Sequence, residues 1–275
     1  MRIAVLQMTS GIDPAANAAT IVDAVARAGE GGAQVLFTPE TSGLLDRDRT
    51  RGARHIVLPE DSPVLAATRE AAARHGVAVA LGSLAVARED GRWANRSLMI
   101  GTDGSVLATY DKIHMFDVAL ENGESWRESA AYAPGDQVVA VDLPGFGRLG
   151  LAICYDIRFP ALFEELGRLS CDVIAIPAAF TRPTGAAHWH LLQRARAVEA
   201  SAYVVAAAQV GRHEDGRETY GHSLVVDPWG EVLLDMGGDE PGLGFAELEM
   251  ERIAAVRRQL PSLANRREVP KSARS

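Results

Sequence analysis

The sequence predicts an α/β protein in which two mixed sheets pack together with helices outside. Short apolar segments of strand length alternate with helix-like segments along the whole chain. Several strand pairs are separated by tight-turn residues such as Asp103-Gly104, and such hairpins argue against a purely parallel sheet. No Pro/Gly/Ser-rich linker divides the 275 residues, so we expect one domain over residues 1–267 and a C-terminal tail over residues 268–275.

Capping and turn residues place the individual elements. Asp13 precedes a helix predicted over residues 14–28, and Ser62 and Gly76 bound a second helix over residues 63–75. Further helices are expected over residues 160–169, over residues 186–200 and from about residue 250. The expected strands lie at residues 2–7, 34–37, 77–81, 97–100, 106–109, 138–142, 148–153, 173–176, 203–208, 223–227, 232–235 and 243–247.

The composition argues against several classes of partner and supports a large core. The net charge is −8 and the pI is about 5.4, which disfavours nucleic acid or an anionic membrane as the main partner. Hydrophobic residues make up 47% of the chain, yet no segment approaches the ~20 apolar residues that span a bilayer. The chain has two cysteines, Cys154 and Cys171, which indicate no disulfide framework. The apolar stretch at the N-terminus is too short for the core of a signal peptide and is typical of a strand. We therefore expect a cytoplasmic protein.

Cys154 is the first candidate for a chemical role. It ends the apolar segment GLAIC and is followed by YDIRFP, in which Pro160 suits the first turn of a helix. A cysteine at such a strand-to-helix turn lies near backbone N–H groups, which would lower its thiol pKa and favour the nucleophilic thiolate. A lone cysteine is more often a small buried residue, so this segment alone does not decide its role.

Two other segments supply the partners that a nucleophilic cysteine needs. Glu40 follows the apolar strand at residues 34–37, and Lys112 follows the strand at residues 106–109. Strand ends at one edge of an α/β domain converge on a common crevice, where Glu40 could accept the thiol proton and Lys112 could stabilise an oxyanion. Each residue could equally be a solvated surface charge. Residues 112–134 show no clear period, and a loop of that length is unusual unless functional, so we expect it to form an active-site wall.

Over residues 1–267 the chain resembles the nitrilase superfamily of carbon–nitrogen hydrolases. The Glu-Lys-Cys set of that family falls on Glu40 in FTPE, Lys112 in YDKIHMFD and Cys154 in GLAICYDIRFP, and a further family glutamate falls on Glu128. The resemblance implies a four-layer α-β-β-α sandwich, hydrolysis of a small-molecule amide and no metal or organic cofactor. It also implies a homo-oligomer, a dimer or higher.

The resemblance implies a mechanism in two steps. Cys154 attacks the amide carbon while Glu40 takes the thiol proton, and Lys112 with the backbone N–H of Tyr155 holds the oxyanion. Water then hydrolyses the thioester, so the products are a carboxylic acid and ammonia. Glu128 would hydrogen-bond Lys112 or Glu40 and hold their geometry, or would simply pair with the lysine.

The substrate is inferred from a narrower likeness. Residues 187–233 are similar to the deaminated glutathione amidase and omega-amidase branch of the superfamily. This likeness implies a glutamine-like amide with a keto group in place of its α-amino group. Its carboxylates would need cations, for which Arg158 and Arg182 are candidates, while Phe180 and Thr181 would form another wall. Each arginine could instead form a surface or interface ion pair.

Several alternatives stay open or are disfavoured. Omega-amidase, carbamoyl-amide hydrolase, nitrilase and a catalytically silent binding protein are the rival functions, and His114 makes a Cys–His hydrolase a rival assignment. The pattern GFGRLG at residues 145–150 precedes a strand rather than a helix, so a hairpin turn is favoured over a dinucleotide site. His188 and His190 are two residues apart on a helix and do not share a face, so one ion would not bind both. Residues 186–208 could pair two subunits or pack against the chain's own sheet.

Overall fold

Two six-stranded sheets form the centre of the protein. The computed structural model describes residues 1–119, 123 and 125–270. In spatial order, the first sheet consists of β16 (Gly242–Glu247), β1 (Arg2–Gln7), β2 (Val35–Phe37), β3 (Ala78–Ala87), β4 (Trp93–Ile100) and β5 (Val106–Asp111). The second sheet consists of β15 (Val232–Asp235), β14 (Leu224–Val226), β11 (Tyr203–Ala206), β10 (Val173–Ala175), β9 (Gly147–Leu151) and β8 (Val139–Leu143).

Both sheets are mixed, as the sequence predicts. In each sheet three neighbouring strands are parallel, β1, β2 and β3 in the first and β9, β10 and β11 in the second, and the outer strands are antiparallel. The GFGRLG pattern lies at the turn of the β8–β9 hairpin and continues into β9. Gly145 in the turn has φ of 74°, and Gly147 at the start of β9 has φ of 107°. Only glycine adopts such angles readily, which confirms the turn interpretation.

Two small hairpins lie outside the large sheets. One pairs β6 (Asp117–Ala119) with β7 (Ser125–Arg127), inside the segment that the sequence presents as a loop without a period. Residues 120–122 and 124 of that segment lie outside the described residues. The other hairpin, β12 (Val210–Arg212) with β13 (Glu218–Tyr220), was not predicted, because its three-residue strands are too short for alternation to stand out.

The helices begin and end where capping residues permit. They are α1 (Pro14–Glu30), α2 (Arg49–Gly52), α3 (Pro63–His75), α4 (Pro160–Arg168), α5 (Arg182–Ala200) and α6 (Met250–Gln259). The Asp13 side chain accepts a hydrogen bond from the Ala15 N–H at 2.9 Å, and Gly76 ends α3 in a left-handed conformation, as expected. Helix α5 begins four residues before its predicted start. Its first turn holds a proline, which is tolerated there, and Gly185, where a Cβ would lie 2.2 Å from the Tyr220 ring.

The side chains of the first sheet alternate between two cores. In β1, Ile3 and Val5 face the second sheet, whereas Ala4 and Leu6 pack under α1 and α3. On its far side the second sheet is covered by α4 and α5. The layers therefore run helix, sheet, sheet, helix, which confirms the four-layer α-β-β-α sandwich. Burying each large aliphatic side chain contributes about 1.5–3 kcal/mol, and a slip of one residue in register would exchange the two cores.

The segment at residues 186–208 mostly packs inside its own chain. Strand β11 is buried throughout, and Ala197 and Ala200 of α5 are fully buried. On α5, Leu191 is 67% exposed and Val198 is 41% exposed. The intramolecular explanation therefore holds for most of this segment, and only part of α5 offers an apolar face. No helix in the described ranges has the length and apolarity needed to cross a membrane.

Candidate active site

The ends of three strands bring an acid, an amine and a thiol to one cavity. Glu40 follows β2, Lys112 directly follows β5, and Cys154 follows β9 of the second sheet. All three side chains, together with Glu128, line a cavity of about 590 Å³ between the two sheets and their loops. The structure thus places together the four residues that the sequence singles out, although they are far apart in the chain.

Lys112 lies between two carboxylates. Its Nζ is 2.9 Å from Glu40 Oε1 and 2.9 Å from Glu128 Oε2, and its side chain is only 2% exposed. Burial alone would lower the pKa of Lys112, but the Glu128 and Glu40 carboxylates outweigh burial and raise it well above its usual value. The amine is therefore a fully charged ammonium, and each of its hydrogen bonds to a carboxylate is charge-assisted.

The Glu40 carboxylate is held by donors on both oxygens. Oε2 accepts a hydrogen bond from the Ala179 backbone N–H at 3.0 Å, and Oε1 accepts one from Asn95 Nδ2 at 2.9 Å in addition to that from Lys112. The Glu40 carbonyl accepts from Gln209 Nε2 at 2.9 Å, which ties this turn to the loop that follows β11 of the second sheet. These contacts leave the carboxylate one orientation relative to the cavity.

Asn95 joins the two acids and was not predicted as a site residue. Its Nδ2 donates to Glu40 Oε1 at 2.9 Å and to Glu128 Oε1 at 3.1 Å, and it is 4% exposed. Glu128 Oε2 also accepts from the Phe116 backbone N–H at 2.7 Å, so that acid is held at both oxygens too. Within the described residues, Asn95 Oδ1 is buried without a hydrogen-bond partner. In the sequence Asn95 stands out only as the first residue of a glycosylation-like triplet, and no pattern around it indicates a place in the site.

The turn that carries Cys154 is built around Asp156. Cys154 has φ of 48°, a left-handed conformation that costs about 1–3 kcal/mol in a residue other than glycine, and it opens a short 3-10 helix, Cys154–Arg158. The fully buried Asp156 accepts hydrogen bonds from the Ile153 N–H at 2.9 Å and from the Tyr110 hydroxyl at 2.7 Å. The strained turn is therefore anchored to the end of β5, beside Lys112.

The pKa of the Cys154 thiol differs from the sequence prediction. Burial raises this pKa well above its usual value, and the Glu40 carboxylate raises it further, while Lys112 opposes the shift. The prediction of a lowered pKa was wrong. Burial and the facing Glu40 carboxylate disfavour the thiolate more than the backbone N–H groups of one 3-10 turn favour it. At neutral pH the resting group is therefore a thiol rather than a thiolate.

His114 is directed towards Asp156 rather than towards the cavity. Its Nδ1 lies 2.7 Å from Asp156 Oδ1, its backbone N–H donates to the same oxygen at 3.0 Å, and its ring stacks on Phe159 at 3.6 Å. It is not among the described residues that line the cavity. This geometry suits a histidine that orients the loop, and it offers no Cys–His pair.

The five predicted substrate contacts, Tyr155, Arg158, Phe180, Thr181 and Arg182, all line the cavity. The Arg158 guanidinium lies 5.9 Å from the Tyr155 ring centroid and 5.5 Å from that of Phe180. No carboxylate of a described residue lies within ion-pair distance of Arg158, whereas Arg182 Nε is 3.9 Å from a Glu218 oxygen and both side chains are about half exposed. Arg158 thus offers a charge that the described chain does not neutralise.

Further arginines give the cavity a cationic wall. The additional lining arginines are Arg47, Arg49, Arg127, Arg212 and Arg217. Trp126 lies between two of them, with the Arg47 guanidinium 5.6 Å and the Arg217 guanidinium 4.9 Å from its ring. These arginines come from three separate segments of the chain, and no motif in the sequence links them. Arginine binds carboxylates in bidentate geometry, so this wall suits an anionic ligand.

The fold and the buried acid–amine–thiol cluster define a hydrolase scaffold for carbon–nitrogen bonds. The chain belongs to the carbon–nitrogen hydrolase family, whose model matches residues 2–258, and thereby to the nitrilase superfamily. The matching family is named for hydrolysis of carbon–nitrogen bonds, the class of reaction that an acid, an amine and a thiol in one cavity suit.

Two curated proteins and one solved structure show how similar the chain is to individual relatives. A deaminated glutathione amidase of Synechocystis sp. is 46% identical over 182 residues, which cover 66% of this chain and 66% of that protein. The deaminated glutathione amidase of Yersinia enterocolitica is 38% identical over 273 residues, which cover 97% of this chain and 93% of that protein. The crystal structure of the C. elegans NitFhit protein superposes with a TM-score of 0.89 at 36% identity, covering 97% of this chain and 65% of that one. The match thus spans just under two thirds of the Synechocystis and C. elegans proteins.

Proposed function

We propose that the protein hydrolyses a linear amide of a keto acid through a thioester on Cys154. The observation that carries this proposal is the position of Glu40, whose carboxylate binds the Lys112 ammonium and lines the same cavity as the Cys154 thiol, where its charge raises the thiol pKa. One acid next to a nucleophile and a buried cation is the arrangement that acyl transfer requires. The triad is Glu40, Lys112 and Cys154, and Glu128 is a positioning residue.

In acylation, Cys154 Sγ attacks the amide carbon as its proton passes to Glu40. The raised thiol pKa means that attack and proton transfer occur together, since little free thiolate exists at rest. Lys112 Nζ and the Tyr155 backbone N–H hold the tetrahedral oxyanion, and losing one such donor costs an enzyme about 2.7–4 kcal/mol. The C–N bond then breaks, and Glu40 returns its proton to the departing nitrogen.

In deacylation, water takes the place of the leaving group. Glu40 accepts a proton from that water, the hydroxide oxygen attacks the thioester carbon, and Lys112 again stabilises the oxyanion. Collapse of this intermediate breaks the C–S bond, and the proton held by Glu40 returns to sulfur. The products are a carboxylic acid and the amine or ammonia released in the first step.

The substrate class follows from the cavity and from the names of the relatives. The relatives in Synechocystis and Yersinia are called deaminated glutathione amidases, and this compound carries carboxylates at both ends. A cavity of about 590 Å³ falls in the range for ligands of drug size, so it accommodates a tripeptide analogue as well as a five-carbon amide. With such a substrate the leaving group is a dipeptide amine, and with an omega-amide it is the ammonia that the sequence predicts.

A substrate panel tests this proposal. Purified protein is given deaminated glutathione, a keto acid omega-amide, an N-carbamoyl amide and an aliphatic nitrile, with chromatography of the acid, amine and ammonia formed. We expect turnover of the first two compounds and none in a Cys154→Ala variant. Preferred turnover of the nitrile or the carbamoyl compound would move the chain to another branch, and turnover that survives Cys154→Ala would exclude the thiol mechanism.

The proposal includes the setting of the enzyme. We propose a cytoplasmic homodimer with one domain over residues 1–267 that acts on a small molecule rather than on nucleic acid or a membrane. Both cysteines are free and buried, which suits a reducing compartment, and exposed Leu191 and Val198 on α5 suit a subunit contact. Light scattering checks the mass in solution, and a single unfolding transition checks the domain assignment.

A further inference from the structure

Three side chains outside the catalytic cavity form a second cluster. His190 lies on α5, His222 lies in the loop between β13 and β14, and Asp235 ends β15. His190 Nε2 is 2.9 Å from Asp235 Oδ2, and His222 Nδ1 is 2.9 Å from Asp235 Oδ1 and 3.1 Å from Oδ2. None of the three is among the described residues that line the catalytic cavity, so the mechanism does not use them.

We propose that His190, His222 and Asp235 bind one divalent ion of the zinc class. Their ligand atoms all lie within 4.8 Å of one another. Ligands bound tetrahedrally at about 2.0–2.1 Å from zinc are about 3.3 Å apart. The N···O separations of 2.9 Å must widen by a few tenths of an ångström, and the two imidazole nitrogens, which lie within 4.8 Å of each other, must move closer together. Two imidazoles and one carboxylate favour Zn²⁺, Co²⁺ or Ni²⁺ over Mg²⁺ and Ca²⁺, which prefer oxygen ligands.

The ligands are held in place by their surroundings. Asp235 Oδ1 accepts a hydrogen bond from the Gly237 N–H at 2.9 Å, and the His222 ring stacks on Tyr220 with centroids 4.5 Å apart. The His222 carbonyl accepts from Trp189 Nε1 at 2.8 Å, and His222 itself has φ of 54°. A backbone held in this sparsely populated region, with partners that orient the ring, is typical of a preorganised site.

The cluster lies at the surface, where an ion can enter. The side chains of His190, His222 and Asp235 are 37%, 25% and 33% exposed, so a fourth coordination position would face solvent and hold water. The two histidines of the sequence His188-Trp189-His190 have different partners. His188 Nδ1 lies 3.3 Å from an Arg158 nitrogen, and His190 alone turns to the cluster. The sequence argument that His188 and His190 cannot share an ion is thus compatible with a site that His190 forms with residues distant in the chain.

An ion at this position would connect the second sheet to the helix layer that covers it. It would join the middle of α5, whose first residues reach the catalytic cavity, to the edge strand β15. Because the ion binds only the folded arrangement of three separate segments, it stabilises the folded state. Thermal stability therefore reports on binding independently of amidase activity.

Zinc titration of tag-free, metal-free protein tests the proposal. The titration is made in wild type and in a Cys154→Ala background, where the thiol cannot hold the ion in the catalytic cavity. Calorimetry should give one site, added Zn²⁺ should raise the Tm by several degrees, and Co²⁺ should give the visible absorption of a tetrahedral centre. Mg²⁺ should give neither signal.

Asp235→Asn and His190→Gln, each in that background, should weaken Zn²⁺ affinity at least tenfold and remove the shift in Tm. His75→Ala, which deletes an exposed histidine at the end of α3, is the matched control and should bind as its parent does. Circular dichroism in the presence of EDTA checks that both variants fold. Absence of binding in the parent protein, or equal binding in the parent and in both cluster variants, would overturn the proposal.

Discussion

Glu40 Oε1 lies 2.9 Å from the Lys112 ammonium, and the same carboxylate lines the cavity with the Cys154 thiol, whose pKa its charge raises. The acid thus binds the cation that would hold the oxyanion and shares a cavity with the thiol that must lose its proton. A second acid, Glu128, contacts the same ammonium, so the lysine charge is compensated when Glu40 is protonated. This arrangement lets one carboxylate change its protonation state without leaving Lys112 as an unpaired buried charge.

Replacing Glu40 separates its two effects on the thiol. Glu40→Gln should lower turnover by about 10²–10⁴-fold, the usual contribution of a general base. The same change removes a negative charge that raises the Cys154 pKa, so the thiolate fraction at pH 8 should increase. Alkylation of Cys154 by iodoacetamide should accordingly become at least threefold faster while hydrolysis is lost.

Mass spectrometry after timed labelling between pH 6 and pH 10 measures this effect. Labelling should rise with pH in both proteins, and the rise should begin at lower pH in Glu40→Gln. Cys171 is an internal control, because burial raises its pKa to about 12 and it should stay unlabelled. Slower labelling of Glu40→Gln would show that Glu40 activates the thiol at rest instead of suppressing the thiolate.

Asn95 should matter for turnover more than for binding. Asn95→Ala removes the donor shared by Glu40 and Glu128, so we expect kcat to fall by about 10–100-fold with little change in KM. Asn95→Asp restores the size but adds a third carboxylate to the pair, and it should not rescue kcat. Steady-state kinetics of both variants on the preferred amide check this, and a KM effect alone would place Asn95 in substrate binding.

Asp156 should control stability through the nucleophile turn. Asp156→Asn replaces an acceptor with an NH₂ group that faces donors, and each hydrogen bond to a buried charge is worth about 1.5–3 kcal/mol. We expect the free energy of unfolding to fall by at least about 2 kcal/mol. Two such hydrogen bonds are affected, and the oxygen that asparagine retains offsets part of their loss. Urea unfolding measures it, with Tyr110→Phe as the control that removes one donor only. A loss no larger than that of the control would contradict the anchoring role.

The two predicted substrate arginines should differ in effect. Arg158 has no carboxylate partner among the described residues, so Arg158→Ala should raise KM for dicarboxylate substrates by about tenfold or more, as loss of a charge-assisted contact does. Arg182 already faces Glu218 and is half exposed, so Arg182→Ala should change KM by less than threefold, about what an exposed ion pair contributes. Kinetics on a matched neutral amide provide the control, and equal losses on both substrates would remove Arg158 from carboxylate recognition.

Local signals predicted much of the fold. The helix Pro63–His75 and the strand Arg2–Gln7 have their predicted bounds, because a cap, a stop residue and an apolar period agree there. The start of α5 was missed because proline and glycine together resemble a turn. The proline suits the first turn of the helix, and Gly185 is required by its close contact with Tyr220. Three-residue strands such as β12 leave no period to detect.

The candidate site was predictable where side chains follow strands. Glu40, Lys112 and Cys154 stand at strand ends, and strand ends meet. Asn95 lies inside β4 and the lining arginines come from segments far apart in the chain, so their convergence depends on the packing of the whole chain. The direction of the thiol pKa depends on burial and on a carboxylate from the other sheet, neither of which a local segment reveals.

Glu40 follows a strand of the first sheet and Cys154 follows a strand of the second. The Gln209 side chain links the two sheets by donating a hydrogen bond to the Glu40 carbonyl. The distance between the Glu40 carboxylate and the Cys154 sulfur therefore depends on how the two sheets pack against each other. Because protein interiors transmit small displacements, a core change far from the cavity, such as Val5→Ala, would misalign the reacting atoms while the chain stays folded. Loss of catalysis should thus be the earliest sign of loosening between the two sheets, ahead of any spectroscopic signature of denaturation.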